Sequence, residues 1–433
     1  MTAVSEKLIS LLGDALKRHP APGRLWLGYS GGLDSTVLLH LLCRVQVPFG
    51  AVHVNHGLSA RADEWQAHCE EVAGKLGVPL VARNVEVRRK EGGLEQAARK
   101  ARYGAFDMVM APGDQLLLAQ HGDDQAETFL LRLLRGAGVL GLGAMAEWRS
   151  VGDPDEGRSL LRPLLGASRA ELECYARASG LEWVEDDSNS DLALDRNYIR
   201  KQVVPPLAAR WPLLERVSRS AENLREAAGL LQDLAGEDLQ RCGVRRESFG
   251  LSIDLAAFLA LSNARQKNLL RGWLHNCGAP MPEAAHLQQA LHQAQAVEDA
   301  IPAVPLGGMV LRRYRDRLFL TPQLQPRERF DEVEWQWDGV HELKLSEGWI
   351  LAPSPDWPAA DYMVQFRRGG ERAKPRERHH SQTLKRLLQE YALPPWLRDR
   401  VPLVFRGETL VAVGDLFVTV DGPVSPPIWR FLD

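Results

Sequence analysis

Residues 25–42 read Leu-Trp-Leu-Gly-Tyr-Ser-Gly-Gly-Leu-Asp-Ser-Thr-Val-Leu-Leu-His-Leu-Leu, and this stretch decides the fold. Leu25 to Tyr29 is a short apolar run of the kind that forms a buried strand. Thr36 to Leu42 continues a helix expected to start at Asp34 or Ser35. Between them lies Ser30-Gly31-Gly32-Leu33-Asp34-Ser35. A strand that feeds a helix through two glycines makes a phosphate cradle. The glycines let backbone N–H groups approach an anion, and the positive end of the helix dipole points at the same spot. Ser30 and Ser35 add hydroxyl donors, and Asp34 can hold a magnesium ion against phosphate charge.

Other readings of the loop have to be set against this one. No Gly-Lys-Ser/Thr follows, so it is not a Walker A loop. Residues 28–32 satisfy G-x-S-x-G, with Ser30 as a nucleophile on an elbow. An elbow usually follows several strands, whereas fewer than thirty residues precede Ser30 and no HGGG-type segment lies upstream. A Gly-rich turn without a ligand is the blandest alternative, and Ser-Gly-Gly-x-Asp-Ser holds more features than a turn needs. The hexapeptide resembles, position for position, the pyrophosphate loop of the N-type ATP pyrophosphatases. Those enzymes split ATP into AMP and pyrophosphate while adenylating a substrate.

Working outward, a lead-in amphipathic helix spans residues 4–19. Strands at 25–29, 49–54, 79–85 and 115–120 then alternate with helices at 34–43, 61–76, 93–110 and 123–135. This pattern predicts an α/β domain with a doubly wound parallel sheet, whose ligands sit beyond the carboxyl ends of the strands. Ser30, Asn55-His56-Gly57 and His121-Gly122-Asp123-Asp124 all fall at such ends. Past a polar loop at 151–158 and a helix at 168–180, Pro205-Pro206 reads as the end of the unit. Residues 211–297 read as helices, and short strands follow from 300. The stretch 361–433 mixes strands with one helix at 381–391. The domains expected are 1–212, a mainly helical 213–330, and a small α+β domain at 361–433.

At 433 residues the chain needs two or three domains. The start of the chain reads as no signal peptide, and no apolar run is long enough for a membrane span. Five scattered cysteines, never paired as C-x-x-C, argue against disulfides, an iron–sulfur site or a zinc knuckle and for a reducing, cytoplasmic setting. The net charge of −3 hides local excess. Residues 365–400 hold ten Lys/Arg against four Asp/Glu, and 83–102 hold seven against three. Such patches bind phosphate backbones.

Asp124 and Glu127 lie one turn apart at the start of a helix. They could be helix-capping acids, could bind magnesium, or could grip a substrate ammonium. His121 stands where it can touch phosphate or adenine. Asn55 and His56 end the second strand, where adenine and ribose meet main chain, and His53 reads as a buried structural residue. Arg99 and Arg102 read either as a solvated face or as contacts to ATP phosphates or RNA backbone.

Taken together, the loop, Val54 to Leu58, Glu95 to Tyr103, His121 to Thr128 and the segment 186–200 resemble the tRNA(Ile)-lysidine synthase family in its long, three-domain form. Arg368-Gly369-Gly370-Glu371-Arg372, Leu384 to Glu390 and Pro394-Pro395-Trp396-Leu397-Arg398 continue the match. The resemblance implies a ligase that uses ATP and magnesium, L-lysine, and a tRNA(Ile) with a CAU anticodon. ATP adenylates C2 of the wobble cytidine, and the lysine ε-amine then displaces AMP. It further implies Asp34, Asp124, Glu127 and Arg196 as catalytic residues, with Arg200 a second choice to Arg196. Ser30, Gly31, Gly32, Leu33, Asp34, Ser35, Asn55, His56 and His121 would hold the nucleotide. The oligomeric state is open. A tRNA thiolation enzyme is the nearest rival, but it needs reactive cysteines, and Cys43 and Cys174 read as buried. A non-catalytic RNA-binding protein on a degenerate nucleotide fold is the other. The C-terminal basic residues and Trp396 point to an RNA-docking surface, with a solvated face and a core tryptophan as the alternative.

Overall fold

The computed structural model describes residues 3–87, 94–185, 191–247, 250–295, 303–324 and 333–431. The expected motif residues 186–190 and the basic residues 88–90 lie outside the described residues, as does the side chain of Glu95. The chain divides into two compact units, Met1–Gly229 and Leu230–Asp433.

In the first unit, α1 (Ala3–Arg18) precedes β1 (Leu25–Gly28), α2 (Leu33–Arg44), β2 (Phe49–Asn55), α3 (Ala62–Lys75), β3 (Leu80–Asn84), α4 (Leu94–Asp107), β4 (Gln115–Leu117) and α5 (Gly122–Leu134). Next come α6 (Val139–Leu142), β5 (Trp148–Ser150), β6 (Ser159–Leu161) and α7 (Arg169–Ala178). The sheet order is β3-β2-β1-β4-β6-β5, parallel throughout except for β5. Alternate residues of each strand serve opposite faces. Leu27, Ala51 and Leu117 meet Leu8, Leu12, Leu38, Leu39 and Leu172 from α1, α2 and α7. Trp26, Val52, Leu116 and Leu160 meet Phe106 and Met110 at and after the end of α4. Each buried leucine contributes about 1.5–3 kcal/mol.

Helices α2 and α3 thus lie on one face and α4 on the other, so the winding reverses between β1 and β4. That is the topological switch point, where a crevice opens beyond the strand ends. Beyond α7 a continuous helical stretch runs through α8 (Asp195–Tyr198), a π turn at Ile199–Val203 and α9 (Val204–Arg210). Pro205 and Pro206 therefore sit in the first turn of α9, within a helical stretch that continues past them. Their rings remove two N–H donors, and Val204 N–H bonds back to Ile199, the wide spacing of a π turn. Helix α10 (Leu213–Arg241) follows.

In the second unit, two strands precede the expected helices: β7 (Arg245–Glu247) and β8 (Gly250–Asp254). Helices α11 (Leu255–Ala260), α12 (Asn263–Asn276) and α13 (Ala284–Ala294) come next, then β9 (Ala303–Leu306), β10 (Met309–Tyr314) and β11 (Arg317–Pro322). The helical central region therefore also holds a five-stranded sheet, β7-β8-β11-β10-β9. The remaining strands form an apolar core with Trp337, Trp349, Trp357, Trp429 and helix Leu384–Glu390. Trp349 and Trp429 stack at 4.7 Å. Trp396 takes the core alternative: it meets Phe319 at 5.5 Å and Tyr314 at 6.1 Å, edge to face.

Candidate active site

The glycine loop closes on itself before it meets any ligand. Ser30 and Ser35 hydroxyls lie 3.1 Å apart, Ser35 Oγ donates to Gly32 O at 3.0 Å, and Ser30 N donates to Ser35 Oγ at 3.3 Å. Gly31 has φ +81°, and a Cβ there would come 2.8 Å from the buried Cys69 Sγ, so only glycine fits. Gly32 caps α2 with no side-chain acceptor, which leaves the first helical N–H groups aimed at the crevice. Leu33 is buried beneath the loop and anchors it, while Ser30 and Asp34 face the opening.

Across the switch point, His121 is the N-cap of α5 and is only 1% exposed. Its Nε2 lies 3.6 Å from Asp34 Oδ2 and 3.5 Å from Asp124 Oδ2, and its Nδ1 lies 3.4 Å from Asp123 Oδ2. These spacings, with no aligned acceptor for either ring nitrogen, make ion pairs rather than hydrogen bonds. Burial alone would lower the imidazole pKa, but Asp123, Asp34 and Asp124 together push it up to about 10. One imidazolium therefore links the loop carboxylate to the acids of α5. Asp123 accepts from Arg169 N at 2.8 Å and is held below the usual carboxylate range; burial opposes this, but His121 and the Arg169 N–H outweigh it. Gly122 N donates to Ala167 O at 2.7 Å, and a Cβ on Gly122 would lie 3.0 Å from that same oxygen.

The two readings of Asp124 are divided between its oxygens. Oδ2 accepts from His121 N at 3.2 Å and caps the helix, while Oδ1 accepts from Arg196 Nη2 at 2.7 Å. Glu127, 1% exposed, accepts from Arg196 Nε at 2.8 Å and from both Arg200 Nε and Nη2, at 2.5 and 3.0 Å. Burial would lower both guanidinium pKa values. The two acids more than offset it and raise them. Sequence reasoning ranked Arg200 second; the structure gives it an equal hold on the acids.

Asn55 is committed within the protein. Its Nδ2 donates to Asp63 at 2.9 Å and Gln66 at 3.2 Å, and its Oδ1 accepts from Gly57 N at 2.9 Å. It shapes the turn and has no side-chain group to spare. His53 is the structural residue expected, with Nδ1 3.0 Å from Tyr29 O. His56 borders a cleft of about 480 Å³ with Gly57, Leu58, Asn84, Val85, Glu86 and Val87, and burial lowers its pKa. The cysteine reading needs correction: Cys174 is exposed and Cys43 half-buried, although burial raises the Cys43 thiol, and Cys69 is pushed up to about 12. Several C-terminal arginines are paired with acids at the surface: Arg368 with Glu334 at 2.7 Å, Arg378 and Arg386 with Glu390 at 2.6 and 2.9 Å.

Three family models match the chain: a PP-loop domain over residues 2–207, a TilS substrate binding domain over 253–319, and a TilS substrate C-terminal domain over 362–429. The tRNA(Ile)-lysidine synthase of Shigella flexneri is 41% identical over 415 residues, covering 92% of this chain and 93% of its own. The chain belongs to the tRNA(Ile)-lysidine synthase family. The Serratia proteamaculans synthase is 42% identical, covering 94% of each chain, and that of Pseudomonas fluorescens 43%, covering 90% of each. Membership makes the chain a ligase that uses ATP on a doubly wound PP-loop fold, and the thiolation and non-catalytic alternatives fall away. No helix among the described residues is long and apolar enough to cross a membrane.

Proposed function

We propose that the crevice joins L-lysine to C2 of the wobble cytidine in a tRNA(Ile) with a CAU anticodon. The observation that carries this reading is the juxtaposition of a phosphate cradle with two buried carboxylates through one imidazole. Asp34 and Asp124 both lie against Nε2 of His121, at 3.6 and 3.5 Å. An adenylating site alone needs the cradle; an amine-transferring one also needs acids for the ammonium.

In the first step the cytidine O2 attacks the α-phosphorus of ATP, the bond to the β-phosphate breaks, and pyrophosphate leaves. The N–H groups at the start of α2, with Ser30 and Ser35, stabilise charge on the departing pyrophosphate. Adenosine lies toward the β2 and β3 ends, against the main chain beside Asn55 and the cleft at His56. Asp34 supplies one half-buried carboxylate at the loop, with Arg169 Nη1 3.4 Å from it. This suits magnesium, which takes most of its ligands from phosphate and water. Bound there, it would neutralise phosphate charge.

In the second step Asp124 and Glu127 hold the lysine ammonium, and one of them accepts its proton. The free amine attacks C2, the C2–O bond breaks, and AMP leaves with the oxygen. Arg196 and Arg200 satisfy both acids before lysine arrives, so the ammonium takes over contacts that a guanidinium now makes. Residues 361–433 supply a further tRNA contact, and the free cysteines suit the cytoplasm. The test is incorporation of labelled lysine with ATP into separate tRNA pools. Incorporation confined to tRNA(Ile) with CAU is expected; none in that pool would overturn the reading.

A further inference from the structure

Arg162 follows β6 and is 3% exposed. Its Nε donates to Gln120 Oε1 and its Nη1 to Ala146 O at 2.7 Å, both neutral acceptors. Arg99 lies 5.0 Å from the Tyr103 ring centroid, with Nη2 3.3 Å from the phenol oxygen, and Arg149 lies 5.9 Å from the same centroid. Burial lowers the Arg162 pKa to about 10; the phenol of Tyr103 opposes this, while Arg149 and Arg99 add to it. Arg132, lowered by burial and by Arg99, extends the group. Among the described residues none of the four has a carboxylate partner. Buried cations are normally paired, because an unpaired one forfeits its hydration with nothing in return.

A purely structural role covers part of this cluster. Arg132 bonds Gly141 O and Ala144 O at 2.7 and 2.9 Å, and Arg225 bonds Gly143 O and Met145 O, so arginines tie down the 141–146 turn. Arg162 shares that work through Ala146. Arg99 and Arg149 do not: they are exposed, bond no carbonyl among the described residues, and both lie against the Tyr103 ring. A convergence of guanidiniums without acids, with an aromatic ring among them, fits an anionic oxygen cluster.

Sheet topology separates this cluster from the ATP phosphates. In the order β1-β4-β6-β5, Arg149 stands three strands from the glycine loop, about 14 Å at the usual spacing. Adenosine, directed toward β2, extends the opposite way. Gln120, which holds Arg162, immediately precedes His121, so the cluster borders the site on its unfilled side. We propose that Arg99, Arg149 and Arg162, gathered around Tyr103, seat an RNA phosphodiester next to the nucleotide being modified. This rests on the RNA substrate proposed above.

The test uses the full chain carrying R99Q and R149Q, both at exposed positions, with an anticodon stem–loop of tRNA(Ile) as probe. Affinity is measured against salt, and ATP affinity is measured without RNA. The double variant should bind the stem–loop at least about tenfold more weakly, with the salt slope reduced by about 1 or slightly less, the share of one phosphate left without its arginines. ATP affinity should be unchanged. An unaltered salt slope would overturn the seat alone, and so would loss of ATP affinity with RNA binding intact. Failure of the wild-type chain to bind the stem–loop would overturn the substrate reading as well.

Discussion

Two regions of this chain treat charge in opposite ways. Around the β1/β4 switch point, acids and bases turn inward: Glu127, Asp124 and His121 are buried, and Asp34, Arg196 and Arg200 reach them from segments far away in sequence. Beyond residue 333 the interior is tryptophan and leucine, while arginines stay at the surface and pair with nearby acids, as Arg386 does with Glu390 one turn on. A surface pair of that kind contributes little and is screened by salt. Buried ion networks are costly to build, so they persist where chemistry needs shifted proton affinities. The contrast locates the chemistry in the first region. It also narrows the argument from basic count in the second, because Arg367, Arg368, Arg378 and Arg386 pair with acids and only the remaining basic residues there have charge to offer RNA.

The largest effect should follow Glu127→Gln. Lysine transfer should fall by about 10³-fold or more, while tRNA-dependent pyrophosphate release stays near wild type. Asp124→Asn should behave likewise, since the amide oxygen still accepts from His121 N–H. Equal loss of both half-reactions would move the acids to the phosphate side of the site.

Asp34→Ala should lower pyrophosphate release by about 10²–10³-fold with the fold intact, as checked by circular dichroism. Release near the wild-type rate would remove Asp34 from the mechanism.

The imidazolium provides a pH test of the buried network. The folded pKa of His121, about 10, lies above its unfolded value of about 6.5. Its stabilisation is therefore complete below pH 6.5 and lost as pH rises toward 10. The melting temperature of the wild type minus that of His121→Gln should shrink across this window. A constant difference would show that the ring is not charged in the folded state.

The smallest effect belongs to the surface pairs. Arg386→Gln should shift the melting temperature by about 1 °C or less and tRNA affinity by less than about threefold. A large drop in affinity would restore the C-terminal helix to the RNA surface and blur the contrast between the regions.

Much of the first region was legible because its signals are local. Two glycines between a strand and a helix, apolar runs at fixed spacing, and two acids one turn apart all follow from backbone geometry. The strands β5 and β6 were not legible: three residues each, with Arg149 and Ser150 breaking the apolar pattern. The side-chain bonds of Asn55 were not legible because nothing in the sequence shows that Asp63 and Gln66 turn back onto it. Arg162 follows a strand end, where arginine is usually solvated, and only the packing of α4 and the 141–146 turn reveals its burial. The helix that continues through Pro205-Pro206 was not legible for a related reason. Proline stops a helix when its missing donor goes uncompensated, and here the π turn absorbs the loss.

That turn makes this part of the chain sensitive to length as much as to composition. Each residue of a helix advances its successors by about 100°. Deleting one residue between Ile199 and Val203 would restore an ordinary helix upstream of the prolines and swing Arg196 and Arg200 off Glu127, with every side chain of the site still present. Surface loops usually tolerate insertions and deletions during evolution. This segment should tolerate substitution on its outer face yet hold a fixed residue count.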